Sequence, residues 1–77
     1  MTLDKHKLDG IPQIESKTLP TETFESLLTG AGYTKLGTAP AKGNRIKSWW
    51  MHLTYRRIEA IYSPDGEIAI TAYHVDM

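Results

Sequence analysis

The chain has 77 residues, enough for one domain, and its nine Lys and Arg residues balance nine Asp and Glu residues. This neutrality excludes a uniformly basic nucleic-acid coat, and a hydrophobic content of 40% excludes a disordered chain. No apolar run approaches the roughly 20 residues that cross a bilayer, and cysteine is absent, which excludes disulfides and thiolate chemistry. We expect a small soluble domain without a membrane partner, and the lack of disulfides fits a cytoplasmic protein.

The first 20 residues differ in character from the rest of the chain. They are polar and interrupted by Gly10, Pro12 and Pro20, a composition typical of irregular chain. We therefore predict an extended N-terminal arm over residues 1–20, with a short edge strand near residues 13–18, and a single domain over residues 21–77.

One helix is expected at the start of this domain. Phe24, Leu27 and Leu28 follow the i, i+3, i+4 spacing of one apolar helix stripe. Gly30 and Gly32 then provide positions where a helix ends easily. The pattern predicts a short helix over residues 22–30.

The rest of the domain favours strands. Residues 33–36, 45–53, 57–62 and 67–75 are strand candidates, and residues 37–44 are expected to form a flexible loop. The stretch Ser63-Pro64-Asp65-Gly66 predicts a hairpin turn, with glycine at the positive-φ position. The predicted fold class is α+β, with one N-terminal helix on an antiparallel sheet of three to four strands that ends in a β-hairpin.

The hairpin also suggests a register for the sheet. It would place Glu59 opposite Thr71 and Arg57 opposite Tyr73, on the polar face. A tight turn at residues 54 and 55 would then bring Trp50 beside Glu59 and His52 beside Arg57. Because side chains alternate along a strand, a slip of one residue would exchange the two faces of residues 45–53.

Charge is unevenly distributed along the chain. Residues 35–57 contain six of the nine cations and no acid: Lys35, Lys42, Arg45, Lys47, Arg56 and Arg57. The same block contains both tryptophans, Trp49 and Trp50. Cations interleaved with aromatic rings are typical of surfaces that bind single-stranded nucleic acid, although ordinary solvated charges on strand edges would show the same pattern.

The polar face carries residue types that metal-free RNA cleavage requires. The reaction needs a base for the 2′-OH proton, an acid for the departing 5′ oxygen and cations at the phosphate. We expect the catalytic set to be Glu59 as base, His52 as acid, Arg57 at the phosphate, and Tyr73. The expected RNA-binding set is Trp50, Lys47, Arg45, Arg56, Lys42 and Thr71.

Each of these residues also has a simpler interpretation. Glu59 and Thr71 could be exposed cross-strand neighbours, Arg57 could form a surface ion pair with Glu59, and Trp50 could cover the sheet or meet a second subunit. The spacing of His6, His52 and His74 fits no metal site, and no cofactor is expected.

The pattern of a helix followed by a sheet with Glu, Arg, His and Tyr on its open face resembles the barnase, EndoU, colicin and RelE-like ribonucleases. The stretch from residue 46 to 52, Ile-Lys-Ser-Trp-Trp-Met-His, and the closing Ile-Thr-Ala-Tyr-His-Val of residues 70–75 carry this likeness. The resemblance implies a metal-independent endoribonuclease of the bacterial toxin kind, with an antitoxin or immunity protein as partner.

A second likeness is to HicA-type toxins. The stretch from residue 27 to 33, Leu-Leu-Thr-Gly-Ala-Gly-Tyr, is similar to their helix that ends in a Gly-aromatic step. The Gly-Ser-His stretch that carries their catalytic histidine is absent here, and Gly-Asn-Arg stands at residues 43–45.

Other functions remain open at this point. The chain could be a non-catalytic module that binds single-stranded nucleic acid or a protein through its basic strand. It could also be an inhibitor or accessory protein whose acidic ends meet a basic partner. An edge strand in so small a chain makes a homodimer credible.

Overall fold

Five strands and one α-helix make up the main regular structure of residues 2–76, which are the residues that this computed structural model describes. The helix is α1 (Thr21–Gly30), and the strands are β1 (Leu19–Pro20), β2 (Thr34–Pro40), β3 (Ile46–Met51), β4 (Arg57–Tyr62) and β5 (Ile68–Val75). Neighbouring strands are antiparallel and lie in the order β1-β5-β4-β3-β2. The α+β class is confirmed, with five strands where the sequence predicts three to four. No helix in this range is long and apolar enough to span a membrane.

The helix α1 packs against one face of the sheet. Its Phe24 and Leu28 side chains are fully buried, and the Phe24 ring meets Tyr62 of β4 edge to face at a centroid distance of 6.2 Å. Leu27 is predicted to share this stripe but is 38% exposed. The buried stripe consists of the i, i+4 pair Phe24 and Leu28. The chain turns back after the helix through Gly32, whose φ is +96°.

The predicted hairpin turn is present between β4 and β5. Gly66 has a φ of +75°, and its N–H donates to the Ser63 carbonyl over 2.8 Å. The Asp65 carboxylate accepts from the Ser63 hydroxyl and from the Glu67 N–H, and these bonds hold the pKa of Asp65 below its ordinary value. The turn is therefore stabilised by hydrogen bonds within residues 63–67.

The register of β4 and β5 differs from the expected one. A bulge between the Tyr62–Ala69 and Ile61–Thr71 pairs shifts the strands, so Glu59 pairs with Tyr73 where Thr71 is predicted. Arg57 correspondingly pairs with Val75. From the Ile61–Thr71 pair onward, β5 is displaced by two residues relative to the predicted register. Side chains alternate with a period of two, so residues 71–75 stay on their predicted faces.

The predicted register of β3 is wrong by one residue. Trp50 pairs with Ile58 and Trp49 with Glu59, so the faces of β3 are exchanged. The reason is the length of the β3–β4 connection, which spans five residues, with the His52 ring accepting the Thr54 N–H at 2.9 Å. A two-residue turn at residues 54 and 55 does not form.

Buried polar atoms explain why Ser48 is tolerated in the core. Trp50 Nε1 donates to Ser48 Oγ, and Ser48 Oγ donates to the Tyr62 hydroxyl, each over 2.9 Å. The Tyr62 hydroxyl then donates to Glu25 Oε2 on α1 over 2.7 Å. Burial is the main cause that raises the pKa of Tyr62 above its ordinary value. This chain of hydrogen bonds joins β3, β4 and α1.

Residues 2–20 belong to the packed structure rather than to a separate arm. Their apolar side chains Leu3, Leu8, Ile11 and Ile14 are all buried in the core. Backbone contacts secure the segment, since the Asp9 N–H donates to His74 Nε2 over 3.0 Å and the Asp9 carbonyl accepts from the Tyr33 hydroxyl over 2.7 Å. The edge strand predicted at residues 13–18 is replaced by β1, which pairs with β5.

The opposite edge of the sheet is β2, which continues through Pro40 and so includes half of the predicted loop. A short 3-10 turn at Lys42–Asn44 then leads into β3. Gly43 and Asn44 both take positive φ values there, +69° and +62°, which reverses the chain within a few residues.

Candidate functional site

The sheet face opposite α1, called the open face below, carries the polar cluster of the molecule. Alternation along the strands places the following side chains on it: Lys47 and Trp49 from β3, Arg57, Glu59 and Ile61 from β4, and Thr71, Tyr73 and Val75 from β5. The buried positions Ile58, Ala60 and Tyr62 of β4 face α1 instead.

Glu59 lies at the centre of a row that crosses three strands. It is the direct partner of Trp49 on one side and of Tyr73 on the other. Trp49 Nε1 donates to Glu59 Oε1 over 2.9 Å, and the Tyr73 hydroxyl donates to Glu59 Oε2. Each carboxylate oxygen therefore accepts one bond from a neutral donor, which fixes the carboxylate in position.

Tyr73 is held in its protonated form by this arrangement. The hydrogen bond to Glu59 is the main cause, with burial second, and together they raise the pKa of Tyr73 to about 12. The Tyr73 phenol therefore keeps its proton at neutral pH and donates a hydrogen bond to the Glu59 carboxylate.

A groove of about 180 Å³ lies beside Glu59 at the start of β3. Its lining contains three cations and both members of the Glu59–Tyr73 pair; the lining residues are Ala41, Lys42, Arg45, Lys47, Glu59, Ile61 and Tyr73. The 3-10 turn brings Lys42 and Arg45 there, because the Ala41 N–H donates to the Arg45 carbonyl over 2.9 Å and closes the loop. The structure thus brings together three predicted RNA-binding cations and two predicted catalytic residues.

These cations are free of salt bridges to other parts of residues 2–76. The salt bridge between charged side chains in that range is Lys35 with Glu25, and His74 Nε2 also lies 3.5 Å from Asp9 Oδ2. Lys47 Nζ lies 5.8 Å from the centroid of the Trp49 ring, so the lysine is over the indole rather than at a carboxylate. The groove is therefore electropositive around a single carboxylate.

Arg57 and Arg56 lie toward the other end of β4. They line a second, shallower groove of about 560 Å³ together with Met51, His52, Tyr55, Val75 and Asp76. Arg57 shares the open face with Glu59, one row away, but does not line the Glu59 groove. The predicted grouping of Arg57 with Glu59 in one pocket is thus not what the structure shows.

The predicted pairing of His52 with Arg57 across β3 and β4 does not form, because β3 ends at Met51. His52 lies in the β3–β4 connection and lines the groove of about 560 Å³ that also contains Arg57. Its ring packs against Tyr33 and Tyr55, at centroid distances of 4.8 Å and 4.5 Å. Its Nδ1 accepts the Thr54 N–H, so Nε2 carries the proton and donates to the Ala31 carbonyl over 3.0 Å. Both ring nitrogens are occupied by backbone, and His52 serves the β3–β4 turn.

Two predicted RNA-binding residues are buried. Trp50 is 3% exposed and donates to Ser48, because the observed register turns its side chain toward the core. Thr71 is 2% exposed and donates to the Thr2 carbonyl over 3.1 Å. Neither side chain faces solvent, and Trp49 is the tryptophan of the open face.

His6 is a neighbour of this site that sequence reasoning missed. Its exposed ring meets Tyr73 edge to face at a centroid distance of 5.9 Å. It thereby extends the row of Trp49, Glu59 and Tyr73 by one side chain. No sequence pattern links residues 6 and 73, because their contact depends on the path of residues 2–20.

Among residues 2–76 no group of three or more His, Asp or Glu side chains is arranged to hold a metal ion. Comparisons of the chain with protein-family models, with curated proteins and with solved structures find no match.

Proposed function

We propose that the protein is a metal-independent endoribonuclease whose active site is the Glu59 groove of the open face. The observation that carries this proposal is a fixed carboxylate inside a groove with three cations. Trp49 and Tyr73 hold Glu59 there by one hydrogen bond to each oxygen.

The proposed reaction is transphosphorylation within the RNA strand. Glu59 removes the proton of the ribose 2′-OH, and the 2′ oxygen attacks the adjacent phosphorus. Lys42, Arg45 and Lys47 stabilise the negative charge that collects on the phosphate oxygens. The bond from phosphorus to the 5′ oxygen breaks and that oxygen takes up a proton, which leaves a 2′,3′-cyclic phosphate and a 5′-OH end.

The central carboxylate favours catalysis over simple binding. A surface that only holds phosphates gains from each cation and loses from a carboxylate among them, because like charges repel. Trp49 and Tyr73 are neutral donors, so nothing in this row cancels the charge of Glu59. A base for the 2′-OH is a reason for its presence.

The second candidate function is a non-catalytic module for single-stranded nucleic acid. The observation that favours it is the half-buried Trp49 ring beside Lys47, with further cations at both ends of the open face. Such a surface stacks bases and attracts the backbone without chemistry. Such a module would bind RNA with an affinity that falls steeply as the salt concentration rises, and it would not cleave the RNA.

The test compares RNA cleavage in EDTA by the wild type, Glu59→Gln and Glu67→Gln. Glu67 is an exposed residue of the hairpin and serves as the matched control. We expect Glu59→Gln to slow cleavage by about 10²–10⁴-fold, the range for loss of a general base, while Glu67→Gln keeps the wild-type rate. Equal cleavage by all three proteins would reject Glu59 as the base. Salt-dependent binding without cleavage by the wild type would establish the second candidate.

A further inference from the structure

The proposed reaction needs a proton donor that the Glu59 groove itself lacks. Tyr73 already donates to Glu59, and its pKa of about 12 makes it a weak acid at neutral pH. Lysine and arginine ordinarily keep their protons at neutral pH, so they are also weak acids there. Histidine is the side chain that ordinarily gains and loses a proton between about pH 5 and 8.

Of the three histidines, two are committed to backbone contacts. His52 holds the β3–β4 turn through both ring nitrogens. His74 accepts the Asp9 N–H at Nε2 over 3.0 Å and contacts the Arg56 carbonyl at Nδ1 over 3.1 Å. The exposed imidazole of His6 makes no hydrogen bond within the part of the chain that the structure describes, so both of its nitrogens can reach a substrate.

The position of His6 is set by anchors on both sides of it. Leu3 and Leu8 are buried, while residues 5–7 are exposed. The Leu3 N–H donates to the Lys17 carbonyl over 2.9 Å, and the Thr2 carbonyl accepts from Thr71 of β5. These contacts hold the short segment that carries His6 against Tyr73, which suits a residue that must meet a substrate in a defined place.

We propose that His6 is the general acid of the ribonuclease reaction, delivering its proton to the departing 5′ oxygen while Glu59 removes the 2′-OH proton. The inference rests on the proposed function. Tyr73 contacts both residues, since its hydroxyl donates to Glu59 and its ring meets the His6 ring, so base and acid lie against one shared side chain. The bond from phosphorus to the 5′ oxygen breaks as that oxygen takes the imidazolium proton, which leaves neutral imidazole and protonated Glu59.

The test uses His6→Phe, which keeps an aromatic ring against Tyr73 and removes the proton. The substrates are a short RNA and the same RNA with sulfur in place of the bridging 5′ oxygen, because a thiolate leaves without a proton. We expect His6→Phe to slow cleavage of normal RNA by about 10²–10⁴-fold and to cleave the sulfur substrate at close to the wild-type rate. Glu59→Gln should slow both substrates, and the exposed neighbour variant Lys7→Gln should slow neither.

The pH profile gives a second readout. Because the acid must be protonated, wild-type cleavage of normal RNA should fall on the alkaline side, and this fall should be absent for the sulfur substrate. Wild-type rates from His6→Phe on normal RNA, or equal losses on both substrates, would overturn the assignment of His6. A wild type that cuts neither substrate would overturn the ribonuclease proposal itself, and with it the role of His6.

Discussion

Trp49 and Glu59 face each other directly across β3 and β4, and the indole Nε1 donates to Glu59 Oε1 over 2.9 Å. This pair is part of the observed register of the two strands. It places one tryptophan of the Trp-Trp doublet on the open face and sends Trp50 into the core. A one-residue slip would bury Trp49 and separate Glu59 from its donor.

The different surroundings of the two tryptophans predict a fluorescence result. Trp49 is half-buried on the open face, whereas Trp50 is enclosed. We expect a 2′-O-methyl RNA, which cannot be cleaved, to change the emission of the wild type through contact with Trp49. In Trp49→Phe the same titration should leave the emission unchanged, because only Trp50 remains. An RNA-dependent change that persists in this variant would show that RNA binds elsewhere.

Ser48 joins two buried polar groups, so its removal should cost stability. Ser48→Ala leaves Trp50 Nε1 without its acceptor and the Tyr62 hydroxyl without its donor. We expect a loss of about 1–3 kcal/mol in the free energy of unfolding. The matched control is Ser26→Ala on the exposed side of α1, with an effect within about 0.5 kcal/mol. Urea unfolding of both variants measures the difference, and similar midpoints would show that Ser48 is not part of such a network.

A pair of leucines tests whether residues 2–20 belong to the fold. Leu8 is 3% exposed, whereas Leu53 in the β3–β4 turn is 96% exposed. Leu8→Ala should lower the free energy of unfolding by about 2–5 kcal/mol, as for other buried leucines. Leu53→Ala should change it by less than about 0.5 kcal/mol. If thermal unfolding shows equal stabilities, the N-terminal segment does not pack as the structure shows.

Stability should decline at alkaline pH. Tyr73 has its pKa raised to about 12 chiefly by Glu59, and burial raises that of Tyr33 to about 12. An ordinary tyrosine titrates near pH 10, so the folded state binds these protons more tightly than the unfolded state. Their contribution is complete below about pH 10 and is lost as pH rises toward about 12. Urea midpoints across this window should fall for the wild type and fall less for Tyr73→Phe, whereas identical declines would contradict the Tyr73–Glu59 bond.

Local sequence signals predict much of the fold. The apolar spacing of Phe24 and Leu28 indicates α1, and the Pro-Asp-Gly turn indicates the hairpin with Gly66 at positive φ. These features depend on neighbours in the chain, so spacing and turn chemistry are sufficient to find them. The bounds of β4 agree with the prediction for the same reason.

The register of β3 against β4 and the path of residues 2–20 depend on contacts between residues far apart in the chain or on details of a turn. The His52 ring accepts a backbone N–H in the β3–β4 turn and lengthens it, which no turn preference of residues 54 and 55 reveals. Residue type alone predicts that Ser48 is exposed, because its buried hydrogen-bond partners Trp50 and Tyr62 are set by the register. His6 reaches Tyr73 only because Leu3 and Leu8, on either side of it in the chain, are buried in the core. The cation groove and Glu59 are predictable from charge, whereas the position of His6 is not.

The most direct measurement is the chemistry of the RNA ends after incubation with the protein in EDTA. Mass analysis of the fragments should find 2′,3′-cyclic phosphate and 5′-OH ends with the wild type, and essentially intact RNA with Glu59→Gln over the same time. RNA that stays intact with the wild type, or fragments that carry 5′-phosphates, would contradict cleavage by a 2′-OH attack in the Glu59 groove.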